Sequence, residues 1–162
     1  MKILALLICF LSFSQLKAQK TQAFIGSGGG INSKMEASPF LSFRHFFSHE
    51  AKGIGAELRY SQNYFNNFPD AYNLEASLLY GINWEVSAIK LYINGGFSGA
   101  IDLNQSISEE KRNPYLGSRV SSGFIYQDLI FDVSYLLVFK EVDFLTISPY
   151  RSSLSVGVGF CF

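Results

Sequence analysis

Along residues 151–162, Leu154, Val156, Val158, Phe160 and Phe162 share one parity, while Ser153, Ser155, Gly157, Gly159 and Cys161 hold the other. Side chains alternate faces along a strand, so the pattern predicts a strand with one wholly apolar face. The same two-residue period recurs upstream. Residues 54–64 set Ile54, Ala56, Leu58 and Tyr60 against Gly55, Glu57, Arg59 and Ser61. Residues 72–84 set Leu74, Ala76, Leu78, Tyr80, Ile82 and Trp84 against Asn73, Glu75, Ser77 and Asn83. Residues 89–101 oppose Ile89, Leu91, Ile93, Phe97 and Ile101 to Lys90, Asn94, Ser98 and Asp102. Residues 115–126 oppose Leu116, Val120, Phe124 and Tyr126 to Arg119, Ser121 and Gln127. Residues 129–140 oppose Phe131, Val133, Tyr135, Leu137 and Phe139 to Asp132, Ser134 and Lys140. A shorter strand over 40–47 carries Leu41, Phe43 and Phe47 against Ser42 and Arg44. A first strand over 21–31 is blurred by Gly26, Gly28, Gly29 and Gly30, and its faces stay unassigned.

Eight strands result, each close to the about 9–11 residues that cross a bilayer at a tilt. Between them the expected connections alternate long and short: 32–39, 48–52, 62–71, 85–88, 102–114, 127–128 and 141–150. Antiparallel barrels of outer membranes have this rhythm, with short turns inside and long loops outside. From the third strand to the eighth the apolar parity holds no Asp, Glu, Lys or Arg. One such charge at the bilayer midplane would cost about 2–4 kcal/mol. A soluble barrel would have to put the large residues inside, and eight strands enclose little room. A final strand ending on Phe162 would also be an open apolar edge in water, whereas a closed barrel has no edge. The expected fold is therefore all-β, an eight-stranded antiparallel up-and-down transmembrane β-barrel, with small, polar and charged residues inside.

Aromatic residues gather towards strand ends. Tyr60, Tyr64, Tyr72 and Tyr115 fall at the expected outer rim, and Trp84, Tyr126, Phe160 and Phe162 at the inner one. Two interfacial girdles have this distribution. The chain contains 16 Phe, 9 Tyr and 14 Gly, a composition suited to packed strands. Residues 1–18 read as a signal peptide, with Lys2 before an apolar run over 3–13; cleavage after Ser14 is the alternative to cleavage after Ala18. That run is shorter than the about 20 residues of a spanning helix. Cys9 lies inside it without the small residues that precede a lipid-anchored cysteine. Residues 19–162 form the barrel domain. Losing Lys2 and Lys17 with the leader leaves 11 basic and 13 acidic residues, about −2, which gives no electrostatic reason to expect nucleic acid. Cys161 then stands alone, so no internal disulfide can form.

The leader, the eight alternating strands and the aromatic end together resemble the small OmpX- or OmpW-type outer-membrane barrels of Gram-negative bacteria. The likeness covers residues 20–162 and lies in pattern rather than in a diagnostic motif. It implies an outer-membrane location in contact with outer-membrane lipid. It also implies that Val156, Val158, Phe160 and Phe162 serve as the C-terminal signal read by the barrel-assembly machinery. Members of the group range over adhesion, stress resistance, small-solute passage and accessory roles in envelope machines.

The residues that could carry chemistry are the charges on the inward parity: Arg44, Glu57, Arg59, Glu75, Lys90, Arg119, Asp132 and Lys140. Buried charge is tolerated when paired and hydrogen-bonded, so the expectation is a lumenal charge network that plugs and stiffens the barrel. A narrow ion path, a lipid-modifying enzyme and a soluble secreted carrier are the alternatives. Lipid A deacylases share such a fold, but their His-x-Ser motif is absent. The chain has His45-Phe46-Phe47-Ser48, which puts Ser48 on the parity opposite His45, and His49 and Glu50 fall in a short turn. No catalytic residue is expected. Two histidines and one thiol make no metal-ligand pattern. The glycines of the first strand lack the Lys-Ser/Thr of a phosphate loop, so no cofactor is expected. The external segments 62–72 and 102–114 are the candidates for recognising an envelope protein partner.

Overall fold

The computed structural model describes residues 20–30, 38–48, 51–62, 72–103, 115–140 and 143–162. The leader at 1–18 and the connections at 31–37, 63–71 and 104–114 lie outside these residues. Eight strands run in chain order: β1 Lys20–Gly30, β2 Ser38–Phe46, β3 Lys52–Gln62, β4 Tyr72–Val86, β5 Ile89–Asp102, β6 Tyr115–Tyr126, β7 Leu129–Lys140 and β8 Asp143–Cys161. Each pairs antiparallel with its neighbour in sequence, and β1 pairs with β8, which closes the barrel. At that junction Thr21 and Phe162 exchange backbone hydrogen bonds of 3.0 and 2.9 Å.

Pairing opposes like parities, so polar meets polar and apolar meets apolar around the wall. Arg44 faces Glu57, Arg59 faces Glu75 and Ser134 faces Ser155 on the inner surface. Leu78 faces Phe97, and Phe124 stacks on Phe131 at 4.7 Å, on the outer surface. Glu57 and Arg119 are about 3% and 2% exposed, whereas Phe97 is 74% exposed. Phe131, Val133, Val156, Val158 and Phe160 are exposed in the same way. The inside is ionic and the outside is greasy, the reverse of a soluble barrel.

At one end, two-residue turns link β4 to β5 and β6 to β7. Ser87 (φ 59°) and Gln127 (φ 55°) take the left-handed conformation at the first turn position. Turns of that kind match the twist of paired strands.

Three features depart from the sequence expectation. First, residues 141–150 were expected to form a long loop, yet β8 begins at Asp143 and pairs Ile147 with Phe139 and Ser148 with Val138. Phe144, Thr146 and Ile147 favour an extended chain, and the β7–β8 pairing continues as far as Lys140 with Asp143. The register then breaks: Leu136 meets Ser153 while Val138 meets Ser148, so a bulge in β8 holds Pro149. A bulge is where a strand accepts proline. Second, strand limits differ: β2 starts at Ser38, β3 spans Lys52–Gln62, and β4 runs on to Val86. Third, the interior also holds large apolar groups. Phe24, Phe40, Tyr92, Ile125 and Ile130 form a buried cluster towards the turn end, with Cys161 packed against it. Ala100, Leu136 and Val138 form another towards the opposite end.

Glycine makes room for them. A Cβ on Gly157 would sit 2.9 Å from the Phe40 ring, and one on Gly26 would sit 2.6 Å from it and 2.2 Å from the Val156 carbonyl. Replacing Gly157 with Ala is expected to cost about 1–3 kcal/mol of folding free energy through overpacking. The loss should shrink in the double variant with Phe40→Leu, and urea unfolding in lipid vesicles measures both.

Candidate functional site: the paired charges of the lumen

The barrel's middle is a layer of side chains from all eight strands. Three guanidinium groups, Arg44 of β2, Arg59 of β3 and Arg119 of β6, are buried there with three carboxylates, Glu57 of β3, Glu75 of β4 and Asp132 of β7. Their formal charges cancel. Arg44 Nε donates to Glu57 Oε2 at 2.9 Å, and its Nη1 donates to Asp132 Oδ1 at 3.1 Å. Arg59 donates to Glu57 Oε1 from Nε at 3.2 Å and from Nη2 at 3.0 Å. Arg119 Nε donates to Glu75 Oε1 at 2.8 Å, and its Nη2 pairs with Glu75 Oε2, so the contact is bidentate. Arginine's planar fork suits such geometry, whereas an ammonium would make a single point contact.

Hydroxyl groups complete the layer. Ser42 donates to Glu57 at 2.7 Å, Ser77 to Glu75 at 3.2 Å and Tyr92 to Asp132 at 2.7 Å. Ser134 is a hub: it accepts from Arg59 Nη2 at 3.1 Å and Arg119 Nη1 at 3.0 Å, and lies 2.8 Å from Ser155 Oγ. Arg59 Nη1 also donates to Ser155 at 2.7 Å. With its amide turned to satisfy both ends, Asn94 accepts from Arg44 Nη1 at 3.1 Å and from Ser121 at 3.2 Å. Aromatic faces cover the cations: the Arg59 guanidinium lies 4.1 Å from the Phe40 ring centre and that of Arg44 4.7 Å from Phe24. A cation over a ring is attracted to its negative face, more so when dry.

Of the eight inward charges expected from sequence, six meet in this layer. Lys90 stands instead at the turn end, half-buried, opposite Glu85 on β4. Both line a pocket of about 470 Å³ with Gln127, Asp128, Cys161 and Phe162. The side chain of Lys140 lies outside the described residues. Sequence reasoning missed Phe24, Phe40 and Tyr92 as partners of the charges. Their signal was parity: Phe40 shares the phase of Ser42 and Arg44, and Tyr92 that of Lys90 and Asn94.

At the C-terminal end, Val156, Val158, Phe160 and Phe162 all point outward and are exposed. His45 also lies on the outer face, with Thr21 Oγ1 3.0 Å from its Nδ1 and the Phe47 ring edge-on at 5.2 Å. Among the described residues no carboxylate bonds that ring, so the pair lacks the orienting group of a nucleophile–base system. Nor does any cluster of His, Cys, Asp or Glu among them suit a metal ion.

Closed topology, outward apolar belt and compensated interior define an eight-stranded barrel of the outer-membrane type. No family model matches the chain, and no curated protein matches it. Solved structures do. Neisserial surface protein A aligns over 89% of this chain and 96% of its own, at 14% identity and a TM-score of 0.60. The outer membrane enzyme PagL aligns over 88% and 98%, at 10% identity and a TM-score of 0.58. The N-terminal β-barrel domain of Pseudomonas aeruginosa OprF aligns over 88% and 97%, at 11% identity and a TM-score of 0.56. These are small eight-stranded outer-membrane barrels. At such identities the shared property is the fold.

If the six charges act as a unit, single and paired replacements must differ. Glu75→Gln strands the Arg119 guanidinium and is expected to cost about 3–5 kcal/mol, whereas Glu75→Met with Arg119→Met should come much closer to the native stability. Equilibrium unfolding in vesicles compares the two; equal losses would contradict the pairing.

Proposed function

We propose that this chain is an integral outer-membrane protein, exported through the leader at 1–18, whose closed lumen conducts no solute and whose role is structural or interactive at the cell envelope. The carrying observation is the inside-out distribution of polarity. A predominantly apolar outer face, with Ser122 of β6 among its few polar members, surrounds six buried ionic groups, each ion-paired within the set. An eight-stranded barrel is just wide enough for side chains to fill, and here the fillers are arginine, carboxylate and aromatic groups from opposite walls.

The outward row Val156, Val158, Phe160 and Phe162 serves as the signal for the barrel-assembly machinery. The outer rim, where Tyr60 and Tyr72 stack at 5.5 Å, supports the external segments that would meet an envelope partner. PagL is an enzyme on the same fold. Non-enzymatic action is favoured here by the Thr21–His45 contact, to which no carboxylate among the described residues adds an orienting group.

Purified barrel in planar bilayers is expected to give no stable channels, and its membranes should retain it through carbonate extraction. Discrete conductance steps would overturn the closed lumen, and release by carbonate would overturn membrane integration. Leu78→Arg, on the outer face, should cost about 2–4 kcal/mol in vesicles. Lipid A mass spectra unchanged by the protein's presence are expected; a new lipid species would identify an enzyme.

A further inference from the structure

We propose that Phe40, Arg44 and Arg59 of the β2–β3 hairpin form a latch that holds the β1–β8 seam shut. Seven of the eight ladders join strands adjacent in sequence; the seam alone joins the two ends of the barrel. Closing it fixes the longest loop in the molecule, so it is the ladder with the largest entropic cost of formation. Its own lumenal side chains do little to offset that cost. The inward pairs are Gln22 with Cys161, Phe24 with Gly159, Gly26 with Gly157 and Gly28 with Ser155. At the Gly26–Gly157 level neither strand presents a side chain. Cross-strand side-chain contact is the usual source of sheet stability, and here it is missing.

The neighbouring hairpin supplies the missing contacts. The Phe40 ring lies over the Gly26–Gly157 pair, close enough that a Cβ on either glycine would strike it. Arg59 lies over the centre of that ring at 4.1 Å and extends Nη1 across to Ser155 of β8 at 2.7 Å and Nη2 to Ser134 of β7 at 3.1 Å. Arg44, one strand nearer, holds Gln22 of β1 at 3.5 Å and Asp132 of β7 at 3.1 Å. Around the wall, the shorter path from Arg44 to Asp132, and from Arg59 to Ser155, crosses the seam. Glu57 anchors both arginines from within the hairpin at 2.9 and 3.0 Å. The β2–β3 hairpin is thus the clamp, and β7–β8 carries the groups it grips. The Arg119–Glu75 pair, joining β6 to β4, does not cross the seam.

Amide hydrogen exchange on the folded barrel in lipid nanodiscs tests the latch. In Asp132→Asn, amides of 22–28 and 155–161 are expected to exchange about tenfold faster through local opening, with those of 74–82 and 93–101 moving far less. Ser155→Ala leaves all six charges in place and should fold; it should show a smaller shift with the same bias towards the seam. Ser98→Ala, which removes the 2.7 Å contact to Ser77 between β4 and β5, should leave the seam unchanged. Equal acceleration of both ladders in Asp132→Asn and Ser155→Ala, or none in either, would overturn the proposal.

Discussion

Three guanidinium and three carboxylate groups are buried in one lumen, and the rest of the structure follows from the need to pair each of them with an opposite charge. An unpaired ion in such a place costs several kcal/mol, so the set has to be complete or absent. Completion requires side chains from strands that are not neighbours. Arg44 reaches Asp132, Arg59 reaches Ser134 and Ser155, and Arg119 reaches Glu75. Only a closed barrel of small radius brings them within hydrogen-bond distance. Closure and charge pairing are one condition.

Space inside is limited, and the strands share it unequally. Glycines in β1, β6 and β8 leave gaps that Phe40, Tyr92 and Leu136 fill from other strands. Those aromatic rings are also the surfaces on which Arg44 and Arg59 rest. The glycine-rich first strand, uninformative as a pattern, is the bare wall against which the clamp of β2 and β3 closes. Phe40 on Gly157, Arg44 with Asp132 and Arg59 with Ser155 join strands that are not neighbours, contacts that a simple up-and-down order would not by itself supply.

The architecture was legible in the sequence because one constraint acts at every second position. Leu116, Val120, Phe124 and Tyr126 on β6, or Phe131, Val133 and Tyr135 on β7, announce an outward face without reference to any other strand. Alternation also singled out Arg44, Glu57, Arg59, Glu75, Arg119 and Asp132 as inward. Their partners were not legible, since which arginine meets which acid depends on register and on depth along the axis. Glu57 and Arg59 sit two residues apart and could have been matched; Arg44 with Asp132 could not. Phe24, Phe40 and Tyr92 went unnoticed because an apolar residue among polar ones reads as noise until the ring is seen beneath a cation. The continuation of β8 back to Asp143 was hidden by Pro149, which reads as a loop signal and lies in a bulge.

Orientation is the claim on which all of this rests, and β7 offers its most direct measurement. Spin labels placed singly at residues 130–137 in a Cys161→Ser background, with the barrel reconstituted in lipid, report collision with oxygen dissolved in the bilayer and with a water-soluble nickel chelate. A two-residue oscillation is expected: high oxygen accessibility at 131, 133, 135 and 137, and protection from both reagents at 132 and 134. An oscillation of opposite phase, or chelate reaching 132 and 134 freely, would contradict it.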